Sequence, residues 1–162
     1  MKFQLIDKID SLSQDKIVAV KYVTLAEEYL GDHFPTFPVL PGVLMLEAAT
    51  QAAAWLLHHR KGFSCSMAVL SEARNVKYGH FVAPGNFLRV EVEWAKETES
   101  GASFKASGTV GEAQAFTARL ALSYFNLSAK NADLAPMDAK LVEHHRARWA
   151  VLKETSVALT VQ

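Results

Sequence analysis

The stretch that settles the architecture is GDHFPTFPVLPGVLMLEAATQ, Gly31 to Gln51. Its second half opens an apolar run, Val43 to Leu57, that is shorter than the roughly 20 residues of a membrane span and is interrupted by Glu47 and Gln51. The run therefore predicts a helix buried in protein. Pro38 and Pro41 lie just upstream, and Pro41 suits a first turn, where its missing N–H has no intrahelical partner anyway. The helix is expected to end near Arg60, because His58, His59, Arg60 and Lys61 place donors at its negative end and Gly62 supplies a stop. The two histidines read as a helix end and not as metal ligands, since no carboxylate or cysteine accompanies them at ligand spacing.

Outward from this helix the period changes. Leu88, Val90, Val92 and Trp94 alternate with Arg89, Glu91 and Glu93, which predicts a strand with one wet face. Phe116, Ala118, Leu120, Leu122 and Tyr124 repeat the alternation. ASFKASGTV and SMAVLSEARNVKY read as further strands, KIVAVKYVT as one before the helix, and the APGN turn, Ala83 to Asn86, joins two of these runs. The expectation is an α+β chain: a long antiparallel sheet in sequence order, with one buried helix inserted early. A helix apolar on all sides cannot lie on an open surface, so the sheet must curl round it or a second subunit must cover it.

The last residues differ. LSAKNADLAPMDAK reads as a linker broken by Pro136, and LVEHHRARWAVLKE places Val142, His145, Trp149 and Leu152 on one helical face as a packing appendage. The division expected is a body over 1–127 and a linker with a C-terminal helix over 128–162.

Bulk properties remove several function classes. With 162 residues, 17.8 kDa and 50% hydrophobic residues, the chain can bury a core without staples. Its 17 Lys and Arg balance 17 Asp and Glu, so no net positive charge argues for nucleic acid or an anionic membrane. Cys65 is the sole cysteine, which excludes an intrachain disulfide and suits a reducing cytoplasm, and the N-terminal segment has no signal-like apolar core.

Chemistry concentrates at Glu47 and His33. A carboxylate among Leu44, Met45, Leu46, Ala48 and Ala49 is expected to be desolvated, which raises its pKa and suits a general acid; pairing with a cation or exposure at an interface is the structural alternative. His33, alone in a loop before Phe34 and Pro35, is open to either a structural or a basic role. If the helix opens near Gly42, its first N–H groups favour developing negative charge there, and Gly42 has no side chain to block a carbonyl. A base, an acid and a backbone oxyanion site are the parts needed for proton abstraction next to a carbonyl.

HFPTFPVLPGVLMLEAATQ closely resembles the active-site segment of the FabZ-type 3-hydroxyacyl-[acyl carrier protein] dehydratases, which run His-Phe-Pro, then Pro-Val-x-Pro-Gly-Val, then Glu-Ala and Gln. VKYGHFVAPGNFLRVEVEW resembles a later strand-turn-strand of the same family. The resemblance implies a hotdog fold, in which a long antiparallel sheet wraps a central helix. It implies that His33 takes the C2 proton of a 3-hydroxyacyl thioester and that Glu47 protonates or orients the departing C3 hydroxyl. It also implies that the Gly42 N–H holds the thioester oxygen and that Gln51 positions Glu47. The substrate would ride on the phosphopantetheine of acyl carrier protein, with no further cofactor and no metal. The related FabA-type enzymes, which also isomerise the double bond, have Asp where this chain has Glu47, so dehydration alone is expected.

The family further implies a homodimer, in some members a hexamer built as a trimer of dimers, with each site formed by the His of one protomer and the Glu of the other. Arg60, Lys61, Arg74, Lys77 and Arg89 are the candidates for a carrier-docking patch, with solvated surface charge as their plain reading. A hotdog thioesterase and a non-catalytic acyl-binding hotdog protein are the alternative functions.

Overall fold

The computed structural model describes residues 3–34 and 36–157. In chain order it contains β1 (Lys8–Leu12), β2 (Lys16–Tyr22), α1 (Tyr29–Asp32), α2 (Gly42–Arg60), β3 (Met67–Tyr78), β4 (Phe87–Thr98), β5 (Gly101–Val110), β6 (Ala113–Phe125) and α3 (Ala135–Val157). Two short 3-10 turns, Leu127–Ala129 and Ala132–Leu134, lead into α3.

The alternating segments form the expected strands. Leu88, Val90, Val92, Phe116, Ala118, Leu120 and Leu122 are all buried, so the apolar face of the sheet is the core face. β1 was not foreseen from the sequence. Its KIDSL shows little alternation, and its pairing with β2 shifts register between Ile9 and Ser11.

Strand order corrects one expectation. The sheet is antiparallel but runs β1-β2-β4-β5-β6-β3, not in sequence order. The reason is α2, whose 19 residues span about 28 Å and separate β2 from β3. β2 therefore pairs with β4, as in Ile17↔Val92, while β3 lies at the far edge against β6, from Met67↔Phe125 to Tyr78↔Phe116. The APGN turn thus belongs to a crossover and not to a hairpin. Gly85 takes φ +86° there, and its N–H donates to the Val23 carbonyl at 2.9 Å.

α2 turns Met45, Ala48, Ala49, Ala52, Ala53, Leu56 and Leu57 to the core at helical spacing. Four of these are alanines, which lets the helix approach the sheet closely; a larger side chain there would cost about 1–3 kcal/mol in overpacking. The helix stops as expected, with Gly62 at φ +62° just beyond Arg60.

The C-terminal segment corrects a second expectation. Pro136 does not break a helix; it sits in the first turn of α3, where a missing N–H costs nothing. Asp138 ties that turn to the body: it accepts from the Ser66 hydroxyl and from the Leu127 and Ser128 N–H groups, each of the latter at 2.9 Å. Trp149 and Leu152 are buried in the common core, Trp149 lying 5.7 Å from Trp55 and 5.3 Å from His59 between ring centres. No described helix is long and apolar enough to cross a membrane.

Candidate active site

The start of α2 is held from outside the helix. The Leu40 N–H donates to the Val82 carbonyl at 2.8 Å, and Pro41 serves as N-cap with no side-chain cap, its carbonyl accepting from Leu44 and Met45. The N–H groups of Gly42 and Val43 have no intrahelical acceptor, so this terminus offers donors to an oxyanion. The structure supplies a reason for Gly42 that the sequence did not. A Cβ at this position would stand 3.0 Å from Tyr78 Cδ1 and Cε1, so the Tyr78 ring packs directly on the glycine.

His33 terminates α1. Its N–H donates to the Tyr29 carbonyl at 3.1 Å, and its ring lies 4.3 Å from that of Phe34. Phe34 has φ +50°, a left-handed conformation uncommon outside glycine, and its carbonyl accepts from the Phe37 N–H at 2.7 Å. The chain therefore reverses immediately after His33, which leaves the imidazole half-buried at a tight bend.

Glu47 lies on α2 a little over one turn beyond Gly42 and is half-buried, not enclosed. Its sequence neighbours Ala48 and Ala49 face the core, while Glu47 itself points to a different side of the helix. Proximity along the chain overstated its apolar surroundings. Gln51, one turn on, donates from Nε2 to Glu47 Oε1 at 2.9 Å. The same amide is fixed by the N-terminal segment: Nε2 also donates to the Phe3 carbonyl at 3.3 Å, and Oε1 accepts from the Leu5 N–H at 2.9 Å. The sequence could place Gln51 beside Glu47, but nothing in it marked Phe3 and Leu5 as partners.

Within one chain no hydrogen bond or ion pair joins His33 to Glu47 among the described residues. Around the helix start, Phe34, Phe37, Val43, Tyr78 and Phe81 are exposed, Val43 by 67% and Phe81 by 58%. Phe37 and Phe81 pack edge to face at 5.6 Å, so part of this surface is one continuous apolar patch.

The basic candidates are mostly neutralised. Arg60 pairs with Asp15 and stacks over Trp94, Lys61 pairs with Glu97, Arg74 with Glu72 and Arg89 with Asp10. Lys77 alone among the five has no carboxylate partner among the described residues.

A model of the FabA-like domain matches residues 1–119. The chain belongs to the FabA-like family. Among curated relatives, this FabA-like chain is 39% identical over 108 residues to the 3-hydroxyacyl-[acyl-carrier-protein] dehydratase FabZ of Clostridium perfringens strain SM101, covering 67% of this chain and 78% of that enzyme. It is 36% identical over 115 residues to the FabZ of Levilactobacillus brevis, covering 70% of this chain and 78% of the relative. Among solved structures, the dehydratase heterocomplex ApeI:P from Xenorhabdus doucetiae superposes with a TM-score of 0.66 at 19% identity, over 78% of this chain and 86% of that one. The likeness is one of fold, and together with the family match it bears out the hotdog architecture expected from the sequence. The matched residues of the FabA-like domain end before α3 begins.

Proposed function

We propose that this chain dehydrates 3-hydroxyacyl thioesters carried by acyl carrier protein, giving trans-2-enoyl thioesters and water. The observation that carries the reading is the Gln51 to Glu47 hydrogen bond on a helix whose first N–H groups are open. The resemblance of the His33 to Gln51 segment to FabZ enzymes, and the FabZ relatives themselves, supply the substrate class.

The chemistry follows from the parts. His33 accepts the C2 proton, and the electrons of that C–H bond become the C2–C3 double bond. The C3–O bond breaks as Glu47 delivers a proton to the hydroxyl, which leaves as water. The Gly42 N–H steadies the negative charge that develops on the thioester oxygen. Gln51 holds the Glu47 carboxyl in one orientation. An elimination beside a thioester moves no electrons to or from an external carrier, so the phosphopantetheine arm of the carrier protein is the only prosthetic group the reaction calls for.

Each site uses two copies of the chain. The lack of a hydrogen bond or ion pair between His33 and Glu47 among the described residues of one chain, the exposed aromatic patch at the helix start and the outer edge of β3 all support a homodimer in which the partner subunit's His33 faces Glu47. The single Cys65 suits a reducing compartment, and we assign the protein to the cytoplasm with its carrier.

The experiment is hydration of a crotonyl thioester, followed by loss of enoyl absorbance. Glu47→Gln, nearly isosteric, should fold normally and lose about two to four orders of magnitude in turnover. Activity within a few-fold of wild type removes Glu47 from the mechanism, and release of free thiol without hydration replaces the dehydratase with a thioesterase.

A further inference from the structure

A cavity of about 360 Å³ lies between α2 and α3. From α2 it is lined by Gln51, Ala54, Trp55 and His58, and from α3 by Leu141, His144, His145 and Arg148. Each set repeats the spacing of one helical face, i, i+3, i+4, i+7, so two helix faces oppose each other across the space. Glu47 is one turn before Gln51 on that same face of α2. The cavity therefore begins at the residue that hydrogen-bonds Glu47 and extends to His58, about 16 Å from Glu47 along the helix axis.

Its walls combine two chemistries. Most of the wall is apolar, from Phe3, Ala54, Trp55, Met67, Ala68 and Leu141, with Gln4 and Ser66 as further neutral polar groups. Among the described residues Arg148, half-buried, has no carboxylate partner and no acidic side chain lines the space. His145 is already engaged, its Nε2 lying 3.0 Å from the Ser66 carbonyl, and its ring centre is 4.8 Å from that of His58. A guanidinium removed from part of its hydration and left without a counter-charge favours an incoming oxyanion.

The geometry points to a substrate whose acyl chain runs from Glu47 along this cavity and carries a carboxylate at its far end, held by Arg148 with His144 beside it. This deepens the dehydratase reading and rests on it. The apolar walls suit a polymethylene chain better than the two amides of a pantetheine arm, which assigns the anion to the acyl terminus and not to the carrier's phosphate. The selecting residues belong to α3, outside the residues matched by the family.

The test compares trans-2-enoyl pantetheine thioesters of equal heavy-atom count, ending in methyl or in carboxylate, with wild type and Arg148→Met. Methionine keeps an apolar stem and removes the charge. The wild-type ratio of kcat/KM, carboxylate-ended over methyl-ended, should be about tenfold or more, carried mainly by KM, and should fall to near one in the variant. A ratio cancels any loss of folded protein. A wild-type ratio near one overturns the assignment, as does a ratio unaffected by the substitution. A third arm uses 4′-phosphopantetheine thioesters: if the loss in Arg148→Met follows the phosphate instead of the terminal carboxylate, the anion belongs to the carrier arm and the acyl assignment fails. Should wild type turn over none of these thioesters, the dehydratase reading is what fails, and calorimetric binding of heptanedioate against heptanoate then decides the cavity by itself. Preferential binding of heptanedioate, lost in Arg148→Met, supports the anion site; equal binding overturns it.

Discussion

Gln51 holds Glu47 through a 2.9 Å hydrogen bond from Nε2 to Oε1, while its own Oε1 is held by the Leu5 N–H. The carboxylate is thus oriented by an amide that the N-terminal segment locks in place. Removing the amide while keeping its bulk, as in Gln51→Met, should lower kcat about fivefold with KM changed by less than about twofold. A misoriented acid costs transition-state stabilisation, not ground-state binding, and one net hydrogen bond is worth about 1 kcal/mol. Steady-state kinetics on one thioester checks this; an effect confined to KM would give Gln51 a binding role instead.

The contact between Tyr78 and Gly42 gives a second expectation. In Gly42→Ala the new methyl would press on the Tyr78 ring at 3.0 Å. Overpacking costs about 1–3 kcal/mol, but the ring is half-exposed and alanine gains up to about 1 kcal/mol of helix propensity, so stability should change by no more than about 1 kcal/mol. Activity should fall much further, because the methyl stands at the proposed oxyanion donors. In a double-mutant cycle, whatever stability change Gly42→Ala causes through the Tyr78 ring should vanish when it is made in a Tyr78→Ala background, measured as the difference in Tm between Tyr78→Ala and the double variant.

His58 makes stability depend on acid. Burial, reinforced by His145, lowers its pKa from 6.5 to about 4. Between those values the unfolded state binds more protons than the native one, so stability is full above pH 6.5 and is lost as pH falls through about 4. The loss is on the order of 3 kcal/mol for this group. Its ring faces Tyr124, Phe63, Trp55 and His145, and among the described residues no carboxylate opposes the effect. Chemical denaturation from pH 7 to 4 should show this slope, and His58→Leu should flatten it; an unchanged slope would move the effect to His145 or His59, whose pKa values burial also lowers.

α3 is expected to be part of the folding unit. Trp149→Ala removes contacts with Trp55, His59 and Phe63 and should cost about 3–5 kcal/mol. Urea denaturation should remain a single transition at a lower midpoint. Two separate transitions would show α3 to be an independent attachment.

Local chemistry was legible in the sequence where a residue's partners are near in the chain. The α2 bounds followed from Pro41, the basic end and Gly62, and the faces of β4 and β6 from strict alternation. The pairing of Glu47 with Gln51 was implied by the family resemblance, and the i, i+4 spacing that puts both on one helix face agrees with it. What depended on distant segments was not. β3 could not be placed at the sheet edge, since its pairing with β6 is set by where α2 ends, and Tyr78 could not be matched to Gly42 across 36 residues of chain. A proline that opens a helix and one that ends a linker have the same local sequence signal, so Pro136 by itself does not mark the start of α3. The neutralisation of Arg60, Lys61 and Arg89 likewise depends on carboxylates far along the chain.

The central claim, that the partner subunit's His33 and this chain's Glu47 share one site, is tested most directly by mixing two inactive chains. Co-expressed His33→Ala and Glu47→Gln chains pair at random, so about half the dimers are mixed, and in each mixed dimer one site carries both lesions and the other carries none. The account predicts recovery of about a quarter of wild-type hydration activity. Mixed dimers that form, as shown by differentially tagged chains, and yet remain inactive would contradict it and place each site within a single chain.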